Sequence, residues 1–361
     1  YTHIGEWGKA YDFMITDSYS KTYRNNGFLR EDYYCYNKPV FAPADGYVET
    51  ITNNTDDNEI GKVNTSNNWG NSIVIRHLNG LYTQISHLRK DTFKVKPGDF
   101  VKRGEILANC GNSGRSPEPH VHFQVQTVPN VGAKTLDYPF AYYFEHAGDK
   151  DQLMQFKKPA QGEKISNVTM NNFLYNAFNI LPDNAIVMEY VDGKGIKTTE
   201  KWDTYTDAYN QKYIHCPQTN STAYYINDGF MFYFTAFYGS KTSLLYYFYL
   251  SAYKIFLGNN DFIEITDSIP LNMLNKGKLA SYLHDFIAPF HQFIKINFTS
   301  KVISSDIALG TGVTKLASTV KITGLGKKNI ASESTLIITE KGISEFTYQT
   351  EDIKIEAVCI N

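Results

Sequence analysis

"FKVKPGDFVKRGEILANCGNSGRSPEPHVHFQVQ", residues 93–126, is the stretch on which the fold turns. Its first half breaks short apolar runs at Pro97-Gly98-Asp99 and Arg103-Gly104, as tight turns between strands do. Its second half is a loop rich in Gly, Ser and Pro that delivers "HVHFQVQ", a run of β formers. His120 and His122 stand two residues apart at the mouth of that strand. Side chains at i and i+2 of a strand leave on one face, roughly 6.5–7 Å apart along the backbone. Two imidazoles are therefore expected to lean into one site, where one can bind a metal while the other meets its water or substrate.

The neighbouring segments read the same way. "VFAPADGYVETI" (40–51) is strand, turn, strand, and "NSIVIRHLNGLYTQISHL" (71–88) is a pair of strands joined through Asn79-Gly80. Residues 1–155 are expected to form an antiparallel β domain whose loops carry the chemistry. The polar stretch "FKKPAQGEKI" (156–165) reads as a linker. Residues 165–361 hold further strand-like runs, with one helical segment expected in "LNMLNKGKLASYLHDFIAPFHQFI", where Leu279, Leu283, Phe286 and Ile287 share a face. The fold class is thus mainly β: an antiparallel domain followed by a second β-rich, barrel- or sandwich-like domain.

Composition narrows the functional classes. A chain of 361 residues with 42% hydrophobic and 20% charged residues is globular and long enough for two domains. A net charge of −2, without Lys/Arg runs, argues against a nucleic-acid binder or a polybasic membrane binder. "FMFYFTAFYGSKTSLLYYFYLSAYKIF" (230–256) is apolar, but Gly239, Ser240 and Lys241 interrupt it. It reads as a hairpin of two buried strands, not a membrane span. Alternation of Phe230, Phe232 and Phe234 points to core packing. The opening "YTHIGEWGKAYDF" has no leader pattern, which leaves the compartment open. Cys35, Cys110, Cys216 and Cys359 form no C-x-x-C pair. One disulfide in each half and four buried thiols are both compatible with them.

Most histidines have ordinary explanations. His146, His215, His284 and His291 stand alone, and His77 sits at a strand end next to a turn. His120 and His122 are different, because His87 also ends a strand in "YTQISHLRK" and His3 and Asp12 lie together in "THIGEWGKAYDFMI".

This ordered set resembles the M23 peptidases, the LytM/lysostaphin-type zinc endopeptidases of bacterial cell walls. The resemblance covers roughly residues 1–127: His3…Asp12, Ser86-His87-Leu88, "VKPGDFVKRGEILANCGNSGRS" and "PHVHFQV". It implies zinc held by His3, Asp12 and His122, with His87 and His120 as catalytic imidazoles beside the attacking water. His3 lies nine residues before Asp12, farther than in much of that family, and Glu6 is an alternative ligand. No H-E-x-x-H helix is present, so an imidazole must take the base role that glutamate plays elsewhere. Two imidazoles and a carboxylate leave the fourth zinc position for water, the arrangement of hydrolytic zinc sites.

The substrate implied is the peptide part of peptidoglycan, and the place of action is outside the cytoplasm. Groove walls are expected near Asn71, Thr83 and Arg115. Competing readings remain. "VKPGDFVKRGEIL" also resembles a biotinyl/lipoyl carrier hairpin, though a carrier gives Asp12, His87 and H-x-H no purpose. An inactive relative could bind cell wall or activate another hydrolase. The second domain could instead be the main functional part, engaging an envelope partner.

Overall fold

The computed structural model describes residues 5–148, 150–191, 195–273, 294–306, 312–324 and 327–360. The chain divides into two compact units, Tyr1–Pro139 and Phe140–Asn361. The division falls ahead of the polar stretch 156–165. The hairpin of residues 140–157 goes with the second unit because Phe144 packs there against Val168, Met231 and Phe256.

The first unit contains β1 (Tyr11–Phe13), β2 (Pro39–Phe41), β3 (Gly46–Thr52), β4 (Asn71–Arg76), β5 (Tyr82–Leu88), β6 (Phe100–Val101), β7 (Ile106–Asn109) and β8 (Val121–Gln126). Six of these form one antiparallel sheet in the order β1-β8-β5-β4-β3-β6, and β2 pairs with β7. In β4, Ile73, Val74 and Ile75 are all buried, so this central strand is covered on both faces. In β8 the alternation separates Phe123 and Val125 from His122, Gln124 and Gln126, and all five are buried. The polar face of β8 is therefore internal. The 127–135 loop crosses it and supplies the backbone carbonyls of Val128, Asn130 and Ala133 as acceptors.

In the second unit, β9 (Phe140–Ala147), β10 (Lys150–Lys157) and β11 (Ile165–Ser166) form a small sheet. After α1 (Asn172–Phe178) come β12 (Ala185–Val191), β13 (Lys197–Thr206), β14 (Lys212–Cys216), β15 (Ser221–Asn227) and β16 (Met231–Tyr238). Helix α2 (Leu244–Ser251) follows, then β17 (Lys254–Phe256), β18 (Ile265–Ser268), β19 (Ile294–Ser305), β20 (Thr314–Gly324), β21 (Lys327–Thr339), β22 (Gly342–Gln349) and β23 (Lys354–Cys359). Twelve strands form a single antiparallel sheet, β17-β16-β15-β14-β13-β12-β23-β22-β21-β20-β19-β18. Its ends approach each other: Lys254 Nζ lies 2.7 Å from Asp267 Oδ2, and the Ser300 hydroxyl donates to the Lys254 carbonyl at 2.6 Å. The result is a nearly closed barrel.

The expected hairpin over 230–256 is half correct. β16 is its first strand, with Phe232 and Phe234 buried, but "LLYYFYLS" is α2. All eight residues of α2 are buried, so the helix shows no polar stripe that would reveal its period. Ser243 caps it, accepting from Tyr246 N. Its rings meet the sheet from inside: Phe248 against Trp202 and Phe346, and Tyr247 against Tyr348, at centroid distances of 4.9–5.5 Å. Tertiary burial overrides the β preference of Tyr and Phe here. A second short helix, α1, was not expected. Asn171 caps it through the amides of Phe173 and Leu174. The segment expected to be helical through Leu279–Ile287 lies outside the described residues. Among those residues no helix is long and apolar enough to cross a membrane.

Buried Glu200 ties α2 to the barrel wall. Its carboxylate accepts from Leu244 N at 2.9 Å, Trp202 Nε1 at 3.0 Å and the Cys216 thiol at 3.4 Å. Glu200→Ala strands the Trp202 and Leu244 donors in an apolar core. We expect a loss of about 3 kcal/mol in stability, read from the urea midpoint of the full chain. All four cysteines are thiols, with Cys35, Cys110 and Cys216 buried.

Candidate functional site

Three strands bring the predicted residues together. β1 pairs with β8 so that Asp12 stands opposite His122, and β5 pairs with β8 so that Ser86 stands opposite His122. Asp12 Oδ1 lies 3.1 Å from His122 Nδ1 and 3.6 Å from His120 Nε2. The His87 ring centroid is 4.7 Å from that of His120 and 5.9 Å from that of His122.

His87 reaches this group against the ordinary alternation. Ser86 already faces His122, so a regular strand would send His87 to the opposite side. Instead the β4–β5 register shifts between Asn71 and Ile73, and His87 has φ 62°. A bulge with a left-handed residue re-aims a side chain, at some conformational cost. Three bonds hold it: His87 N to the Trp69 carbonyl at 3.2 Å, Gly111 N to the His87 carbonyl at 3.0 Å, and His87 Nδ1 to the Ser113 carbonyl at 2.8 Å. The Ser113 carbonyl is placed by a close approach of two loops. A Cβ on Gly70 (φ 58°) would lie 2.5 Å from the Ser113 backbone, so only glycine fits there.

The tautomers of two imidazoles follow from their partners. A backbone carbonyl only accepts, so His87 donates from Nδ1–H to Ser113. His120 likewise donates from Nδ1–H to the Glu118 carbonyl at 2.8 Å, with the Ser116 hydroxyl 3.2 Å away. Each ring then turns an unprotonated Nε2 inward. His87 Nε2 is buried and has no hydrogen-bond partner. Burial holds the His87 imidazole well below its ordinary pKa, helped by repulsion from His120 and His122. Burial also lowers His120, with Asp12 opposing.

These groups suit a cation. Asp12 offers a carboxylate oxygen, His122 a ring nitrogen, and the partnerless Nε2 of His87 is the kind of buried atom that a bound metal and its water satisfy. Two ligand atoms at zinc bonding distance and a tetrahedral angle lie about 3.3 Å apart, close to the 3.1 Å between Asp12 Oδ1 and His122 Nδ1. Among the described residues no group of three or more His, Cys, Asp or Glu side chains forms a complete metal cluster. His3, the third predicted ligand, lies outside the described residues. Glu6 sits in a short 3₁₀ turn (Gly5–Trp7), its carbonyl bonded to Thr135 N at 2.8 Å.

The predicted groove residues fare differently. Asn71 is buried, with its side chain bonded to Thr55 N and to the carbonyls of Thr55 and Leu88. That makes it part of the framework. Thr83 is also buried and bonded to His77 Nε2 at 2.8 Å. His77 also bonds the Asp45 carbonyl at 2.8 Å, as its strand-end position suggested. Arg115 is exposed on the loop before His120. The sequence reading missed Trp69, whose ring lies 5.0 Å from that of His122, and missed Gln124, which bonds His122 Nε2 at 2.9 Å. Polar residues at 122, 124 and 126, alternating with Phe123 and Val125, were the available signal.

An antiparallel sheet thus brings together histidines from two strands and an acid from a third. Residues 32–135 match the profile of Peptidase family M23, and the chain carries a domain of that family there. The match includes His87, His120 and His122 and begins after Asp12. Peptidoglycan DD-endopeptidase ShyB of Vibrio cholerae is 43% identical over 74 residues, 20% of this chain and 17% of that protein. DD-carboxypeptidase/endopeptidase Mpg of Neisseria meningitidis is 38% identical over 58 residues, 16% of this chain and 13% of that protein. A crystal structure described as a zinc containing peptidase from Vibrio cholerae is 33% identical, covering 25% of this chain and 24% of that one at a TM-score of 0.20. The chain thus matches less than a fifth of the length of the two curated relatives.

Proposed function

We propose that the first unit is a zinc-dependent endopeptidase that cleaves the peptide part of bacterial peptidoglycan outside the cytoplasm. The observation that carries this reading is the convergence on Asp12. One carboxylate oxygen faces His122 Nδ1 and His120 Nε2, while His87 turns a buried, partnerless Nε2 inward. The M23 match and the names of the peptidoglycan-acting relatives support the substrate class.

Asp12 and His122, with His3 as the third ligand, would hold the ion. Zinc bound there supplies Lewis acidity towards a peptide carbonyl and a lowered pKa for water. His120 and His87 handle protons at Nε2. Their Nδ1 atoms are occupied by backbone carbonyls, so each ring keeps one inward-facing nitrogen that can take a proton from attacking water. The same nitrogen returns it to the leaving amine. Charged by that proton, the ring would also steady the oxyanion that develops at the substrate carbonyl. We assign Arg115, exposed on the loop before His120, to substrate contact.

Elemental analysis paired with a muropeptide digest tests metal and substrate together. We expect about one zinc per chain and new amino termini in the digest. A chain without zinc that leaves muropeptides intact rejects the assignment and returns the domain to the binding or activating role.

A further inference from the structure

His122, Gln124 and Gln126 form a line along the internal face of β8, all three fully buried. His122 Nε2 lies 2.9 Å from Gln124 Oε1. Gln124 Nε2 donates to Gln126 Oε1 at 2.7 Å and to the Ala133 carbonyl at 2.9 Å. Gln126 Nε2 donates to the carbonyls of Val128 and Asn130 at 2.7 and 2.9 Å.

The direction of this line is set at its far end. Backbone carbonyls only accept, so Gln126 must give its NH₂ to Val128 and Asn130 and turn its oxygen back. Gln124 then donates to that oxygen and to Ala133, which leaves its own Oε1 facing His122. An oxygen accepts from Nε2 only when Nε2 carries the proton. Reversing Gln124 would set its oxygen against Gln126 Oε1 and the Ala133 carbonyl, two buried acceptor–acceptor contacts.

The geometry points to Gln124 as a positioning residue that fixes His122 as its Nε2–H form and so assigns Nδ1, the nitrogen facing Asp12, to cation binding. The cation-binding half rests on the ligand roles given to Asp12 and His122 under the proposed function. The scheme is the reverse of that at His87 and His120, where backbone carbonyls hold Nδ1–H. Of these three histidines, His122 is the one whose tautomer a side-chain amide sets, so a substitution there can remove the choice.

Two measurements on the full chain test this. Long-range ¹H–¹⁵N spectra of the metal-free protein at pH 9 should show a proton on His122 Nε2, even with the Asp12 carboxylate 3.1 Å from Nδ1 competing for it. A bare Nε2 would overturn the inference whatever the metal affinity. Zinc affinity, by chelator competition, should fall 10–100-fold in Gln124→Met, which lacks the acceptor. A folded Gln124→Met that binds zinc like wild type would also overturn it. Wild type taking up no zinc would reject the ligand roles instead, and the metal-free spectrum would still decide the tautomer. If Gln124→Met fails to fold, the wild-type spectrum decides alone.

Discussion

His122→Ala is expected to abolish both zinc uptake and hydrolysis. The substitution removes the ring whose Nδ1 lies 3.1 Å from Asp12 and leaves the Gln124 oxygen without its donor. Loss of a residue that only orients a ligand typically weakens metal binding 10–100-fold, and loss of the ligand itself should exceed about a hundredfold. Elemental analysis should find almost no zinc in the purified variant, and muropeptide turnover should drop to background. His77→Ala is the control, since the His77 ring bonds the Asp45 carbonyl and Thr83, and the variant should keep both properties. Zinc retained by His122→Ala at one per chain would contradict the ligand role.

His120→Ala separates proton handling from metal binding. The Nε2 of His120 stands 3.6 Å from the Asp12 oxygen, farther than the His122 nitrogen, and its ring is anchored through Glu118 and Ser116. Zinc content should stay near wild type while kcat falls roughly 10²–10⁴-fold, the usual contribution of a positioned acid–base group. The loss should fall on kcat more than on KM, because the ring acts on a proton in transit. Unchanged turnover would move the proton role to His87 alone.

Much of this site could be read from the sequence. Spacing put His120 and His122 at one strand mouth, and the ordered motifs added His87 and Asp12. What spacing could not supply was orientation. A strand pattern places His87 on the wrong side, and only the register shift and left-handed backbone bring it round. The alternation through Gln124 and Gln126 was visible, but its direction depends on carbonyls of the 127–135 loop. In the second unit the many strands were legible and α2 was not, because a helix apolar on every side looks like any buried apolar run. The aromatic alternation that marked β16 stops having a period after Gly239.

Midway along the twelve-stranded sheet β12 pairs with β23, Met188 with Cys359 and Tyr190 with Ala357. Partners so far apart in sequence must find each other late, after the intervening strands have assembled. During synthesis, β12 therefore waits with one flank uncovered until β23 has left the ribosome. An early stop or a protease nick just before Lys354 would leave that flank bare for good, and a bare flank recruits strands from other molecules. Aggregation of such shortened products, more than loss of any one contact, is where damage to this unit should first become visible.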